Sequence, residues 1–257
     1  NVEKVFGKCK IHKHVFTNCG VHYQKNAKGD VVMDQDAYIA TLRPIESAEL
    51  TGKAPEEPAT ASVAAAFASL RGAIAYCVLT QAWILVYVVS LQRVQAPTNL
   101  EVRRLNALTR KLKLNPKKLI YPAMKPNGKV DIHTDSGYRS LEGGADDEVK
   151  GYGMRGMNLF RCGTRRDNSE ACVHLLDAQC KSHRLVVRSS YGAETLAAAH
   201  GAEETYPALV TLHEFEQRKA LSKTELKNLR EHGGINLDVT LTVDAESVFK
   251  SLASIDA

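Results

Sequence analysis

Two strand-like segments, 130–135 and 237–243, finish at or just before an aspartate, and a long helical stretch lies between them. Apolar and polar residues alternate in VDIHTD and in LDVTLTV, the period-two pattern of a half-buried strand. Segments 151–161 and 170–179 read as two further strands. Residues 193–217 read as a long helix that Ser189 and Ser190 are able to cap, since serine hydroxyls accept from first-turn amides. A second helix is expected over 222–231 and the start of another over 245–252. From about residue 129 the order is β-β-β-α-(α)-β-α, which predicts an α/β domain with a mixed sheet and flanking helices. If the strands carrying Asp135 and Asp244 are parallel neighbours, their carboxyl ends lie side by side, where ligands of open α/β sheets gather. Glu194, in the first turn of the long helix, then projects across to them.

Clustered carboxylates repel one another, so a cation is needed to neutralise them. Mg²⁺ is the expected ion, with Mn²⁺ as the alternative, because it is hard, oxygen-seeking and shares its shell with phosphate. Two such ions can activate water and stabilise the departing oxygen in phosphodiester cleavage. Asp135, Glu194 and Asp244 are thus the candidate catalytic and metal-ligating residues. Taken singly, an aspartate at a strand end is ordinary turn chemistry.

The first half of the chain has a different texture. Residues 15–24 are rich in β-branched and aromatic types, 26–30 are turn-like and 31–33 resume the strand pattern, which predicts a hairpin. Helical character follows over 34–42 and ends before Pro44. A loop is expected over 54–60, then helices over 61–112 with a break near Pro97. The run GAIAYCVLTQAWILVYVVSL (72–91) is about as long as a bilayer span requires. Thr80 and Gln81 interrupt its centre, so a shielded helix pair broken near Gln81 is expected rather than a membrane span. Residues 101–130 hold nine Lys or Arg and a single acid, Glu101. Arg103, Arg104, Arg110, Lys111, Lys113, Lys117 and Lys118 are candidate phosphate contacts, where cations release counterions on binding nucleic acid. A solvated helix face is the plainer explanation. The net charge of +5 permits such a partner without requiring one.

Six cysteines show no dense framework spacing, so reduced thiols and an intracellular setting, cytoplasmic or nuclear, are expected. Cys9, His12, His14, Cys19 and His22 form a Cys-x2-His-like pattern that a zinc ion is able to use. The gap between pairs is short, and the segment already reads as a hairpin. Cys162, Cys172, His174, Cys180 and His183 are more irregular. No Gly-x-Ser-x-Gly nucleophile elbow is present. Opening on Asn1 with no basic-then-apolar leader, the chain reads as a piece of a longer product.

Read together, the residues around the three acids carry a resemblance. HTDSGYRS (133–140), RSSYGAETLAA (188–198) and LTVDAESVFKSL (241–252) stand in the order and approximate spacing of copia-type retrotransposon RNase H domains. Asp135 matches that family's first acidic strand end, Ser189, Ser190, Ala193 and Glu194 its helix start, and Asp244 its last strand end. Upstream, 16–45 is similar to the family's hairpin and helix, with Gln35, Tyr38 and Ile39 at the signature positions, and 71–93 looks like the following helical segment. The resemblance implies an RNase H-like domain at 129–257, truncated at its C-terminus, after a reverse transcriptase thumb or connection-like region at 1–128. It further implies Mg²⁺-dependent hydrolysis of the RNA strand of RNA–DNA hybrids, with the upstream polymerase region of the same polyprotein as a partner.

The departures are specific. The polymerase Tyr-x-Asp-Asp motif is absent. Ser136, Gly137 and Tyr138 follow Asp135 where the family has a second acid, and Ala245 replaces the usual Asn. Asp256 is too near Asp244 in sequence to serve as a fourth acid. A catalytically inactive nucleic-acid-binding or structural remnant is therefore the main alternative, and a zinc-dependent binding module the third.

Overall fold

The computed structural model of the chain describes residues 13–126, 128–137, 153–183, 187 and 189–253. It is a mixed α/β protein with seven α-helices and two four-stranded sheets among the described residues. The chain divides into two compact units, Asn1–Ala123 and Met124–Ala257.

The first unit holds an antiparallel sheet of β1 (Val15–Asn18), β2 (Val21–Lys25), β3 (Val31–Asp34) and β4 (Leu119–Tyr121), in that order. The expected continuous strand over 15–24 is instead a tight hairpin. Cys19 (φ 45°) and Gly20 (φ 67°) both adopt positive φ. Such values at both central residues suit a two-residue turn whose twist matches the flanking strands. Four helices follow β3 in the chain: α1 (Asp36–Thr41), α2 (Ala61–Cys77), α3 (Leu85–Gln92) and α4 (Asn99–Leu114). Their core gathers Ile39, Phe67, Leu70, Ile74, Ile84, Val88, Val102, Leu105 and Leu112. Glu101 accepts from the backbone N–H of Thr98 at 2.9 Å and so closes the start of α4.

The apolar run 72–91 spans the end of α2, a short 3-10 turn at Ala82–Ile84 and most of α3. Among the described residues, no helix is long and apolar enough to cross a membrane. Gln81 causes the break. It is fully buried, and its amide nitrogen donates to the Lys117 carbonyl at 2.5 Å and to Thr80 Oγ1 at 3.2 Å. Its amide oxygen accepts from Lys117 N at 2.9 Å and Trp83 Nε1 at 3.0 Å. Two donors and two acceptances exhaust what a primary amide offers. Thr80 in turn donates to Gln35 at 2.9 Å, and Gln35 donates to the Tyr76 carbonyl at 3.3 Å. The interruption in the hydropathy pattern is thus a satisfied polar knot inside the helical core.

The second unit holds a sheet in the order β7-β6-β5-β8, with β5 (Lys129–Gly137), β6 (Met154–Thr164), β7 (Ala171–Ser182) and β8 (Val239–Val243). β5 pairs antiparallel with β6, and β6 with β7, with an irregularity at Leu159/Phe160. β5 and β8 are parallel, in a register from Val130 opposite Val239 to Thr134 opposite Val243. The three helices here are α5 (Ser190–Gln217), α6 (Lys223–His232) and α7 (Glu246–Ala253). Ser189 accepts from Gly192 N at 3.1 Å and starts α5, as the serine pair predicts. Val130, Ile132, Met157 and Leu159 of the sheet meet Leu209 of α5 in the core. Gly201 permits a close approach of helix to sheet, because a Cβ there would overlap Thr134 Cγ2.

Replacing Gln81 by leucine removes the partners of Lys117 and Trp83 in one step. Each group left unpaired costs about 1–3 kcal/mol where water cannot reach it. The expected result is a lower urea midpoint at an unchanged slope, measured by equilibrium unfolding of the full chain.

Candidate metal centre

The parallel ladder of β5 and β8 sets the site. Thr134 lies opposite Val243 at the end of the parallel ladder, so Asp135, still paired with Gly156 of β6, and Asp244, just past β8, stand at the same level. Glu194 comes from the opening turns of α5. One carboxylate oxygen from each of Asp135, Glu194 and Asp244 lies within 4.8 Å of the others. These three form the only group of three or more His, Cys, Asp or Glu side chains, among the described residues, placed to share a metal ion. All three site residues expected from the sequence are therefore brought together.

Their environments differ. Asp135 and Asp244 are exposed, whereas Glu194 is 8% exposed. The backbone N–H of Ser136 donates to Glu194 Oε1 at 3.2 Å. The second oxygen, Oε2, is buried with no hydrogen-bond partner. Burial first, and then the charges of Asp244 and Asp135, push the Glu194 carboxyl above its usual range, against the smaller opposing effect of the Ser136 N–H. A buried carboxylate oxygen without a donor is costly, and a cation sharing all three carboxylates would offset that cost. The donor set is all oxygen, which suits Mg²⁺ or Mn²⁺ and does not suit a soft metal.

Next to this cluster lies a contact the sequence did not reveal. Ser136 Oγ is 2.8 Å from Nε2 of His183, an imidazole only 2% exposed at the end of β7. Burial, followed by Arg155 and His200, lowers the pKa of His183 and favours the neutral ring. Only the fold brings this pair together, because 46 residues separate the two partners in the chain.

The other candidates fall elsewhere. Cys9 and His12 lie outside the described residues, as does Asp256. His22 meets Asp34 at 3.4 Å, and Cys162 donates to Asp131 at 3.3 Å. The seven basic candidates lie on α4 and the segment before β4, and most have local partners. Arg103 donates to the Lys53 carbonyl at 2.7 Å, and Lys113 to the Leu42 carbonyl at 2.7 Å. Lys117 meets Asn115, and Lys111 lies over the Trp83 ring. Arg104 pairs with Glu101 and Lys118 with Asp34 and Asp36. Arg110 is exposed and lines a shallow depression with Arg103 and Asn106.

No family model matches the chain, and comparison with curated proteins returns no match.

Because the folded-state pKa of Glu194 is raised, its ionisation opposes folding of the metal-free chain. Stability then falls as pH rises from the ordinary glutamate value through the raised one. Glu194→Gln is expected to raise the thermal midpoint in chelator at neutral pH. That gain should vanish below the ordinary glutamate pKa, and a pH series of thermal melts checks both halves.

Proposed function

We propose that the second unit is an RNase H-like nuclease domain that hydrolyses the RNA strand of RNA–DNA hybrids, as the end of a copia-type retrotransposon polyprotein. The observation that carries this reading is the meeting of Asp135, Glu194 and Asp244 within 4.8 Å at the carboxyl ends of two parallel strands. Three antiparallel strands followed by two helices and a parallel fourth strand support the fold assignment. The motif order around the three acids supports the family.

In this reading the three carboxylates hold Mg²⁺, with Mn²⁺ able to replace it. The ion when bound supplies Lewis-acid polarisation of a phosphoryl oxygen. The chain's own groups do the rest. Asp135 and Asp244 present their charges to solvent, where a polyanion must approach. Glu194 is held by the Ser136 amide, which fixes one oxygen and leaves the other without a hydrogen-bond partner. The basic residues of α4 and its sequel are the proposed contacts to the nucleic-acid backbone. Arg103 and Lys113 bond to neutral carbonyls, so their positive charges remain uncancelled and able to attract phosphates. Recognition of that kind follows groove shape and backbone more than base sequence.

The test is cleavage of a labelled RNA–DNA hybrid with Mg²⁺ by the full chain and by Asp135→Asn. Metal-assisted stabilisation is worth several kcal/mol, and tenfold corresponds to about 1.4 kcal/mol. The variant should therefore lose about a hundredfold or more in rate. Hybrid binding that survives chelator, with no cleavage by either protein, would select the inactive remnant, which the glycine at position 137 in place of a second acid favours.

A further inference from the structure

We propose that His183 is a positioning residue for the acidic centre, acting through the hydroxyl of Ser136. The inference rests on the metal-site reading above and concerns how the chain holds Glu194 ready for the ion.

Three features of the packing lead to it. First, His183 is anchored independently of the acids, since its backbone N–H donates to the Gly153 carbonyl at 2.9 Å. Second, Gly153 sits where no side chain fits. A Cβ there would overlap the Gly137 carbonyl oxygen and lie 3.1 Å from His183 Cδ2. The end of β5, the start of β6 and the imidazole are thus pressed together with no slack between them. Third, Ser136 is bound from both sides. Its Oγ meets His183 Nε2 at 2.8 Å and the Met154 carbonyl at 3.4 Å, while its N–H holds Glu194 Oε1 at 3.2 Å.

The proton arrangement follows. With Nε2–H donating to Ser136 Oγ, the hydroxyl is free to donate onward to Met154. That tautomer leaves Nδ1 as a bare lone pair, in keeping with its lack of any partner. The opposite tautomer would bury an unpaired N–H at Nδ1 and turn the hydroxyl away from Met154. A directed chain therefore runs from His183 through Ser136 to the Met154 backbone. It fixes the peptide between Asp135 and Ser136, the unit that carries one ligand and supports another. Metal sites commonly owe their ligand orientation to partners of this outer kind, and losing one typically lowers metal affinity 10–100-fold.

The experiment is Mn²⁺ binding to the full chain by isothermal titration calorimetry, with circular dichroism on every variant to check folding. Ser136→Ala keeps the amide that holds Glu194 and removes only the hydroxyl. It is expected to weaken Mn²⁺ binding about tenfold or more, and His183→Ala by a similar factor. The double variant should be no weaker than the worse single one, because both changes cut the same chain. Ser136→Thr, which keeps the hydroxyl, should bind close to the wild type. Should His183→Ala not fold, Ser136→Ala and Ser136→Thr decide the matter with the histidine in place. Wild-type affinity in Ser136→Ala, with binding lost in Asp135→Asn, overturns the role of His183 and leaves the metal site standing. Losses that multiply in the double variant also overturn it. No Mn²⁺ binding by the wild-type chain overturns both the positioning role and the metal site.

Discussion

Parallel pairing of β5 with β8 is the constraint on which the second unit depends. Parallel neighbours cannot be joined by a tight turn and need a long crossover. The chain between them supplies β6, β7, α5 and α6, and the helix α5 lies on the sheet with Gly201 against Thr134. That one close approach ties the height of the helix to the height of the strand. Because Glu194 stands two turns before Gly201 on the same helix, the fit at glycine also sets where its carboxylate arrives. Like charges are thus forced together by packing that lies away from them. The repulsion shows in the raised pKa of Glu194, the most buried of the three.

Much of this unit was legible in the sequence because its elements are long and regularly patterned. Strand alternation in 130–135 and 237–243, and the serine cap before α5, each point to one local structure with a physical cause. The three acids were legible because they stand at element boundaries, where position along the chain nearly fixes position in space. Ser136 and His183 were not legible as a pair. β5 and β7 both pair with β6 and not with each other, so the contact of Ser136 with His183 depends on a sheet order that neither local pattern specifies. Gly153 is the informative residue, and its meaning appears only once its neighbours are known.

The first unit shows the converse. Residues 15–24 carry strand-forming types throughout, so composition suggests a single strand. Two positive φ angles at Cys19 and Gly20 fold it back on itself. The short strand β4 was hidden for another reason. Its three residues, Leu119, Ile120 and Tyr121, are too few to display the alternation that marks a strand. Basic residues in 101–118 are likewise better tied to the unit than their charge suggests, since Arg103 and Lys113 donate to backbone carbonyls.

The knot around Gln81 has a consequence for how this unit tolerates change. Gln81 grips residue 117 only through the backbone, taking its N–H and giving to its carbonyl. The side chain at 117 is therefore under no demand from this contact, and any residue able to leave both backbone groups free would serve, proline excepted. Position 81 has no such latitude, because a carboxylate lacks the donors and an aliphatic chain lacks both functions. Drift would thus be permitted at one end of the clasp and arrested at the other, so the two positions would show no correlated change although they are in direct contact.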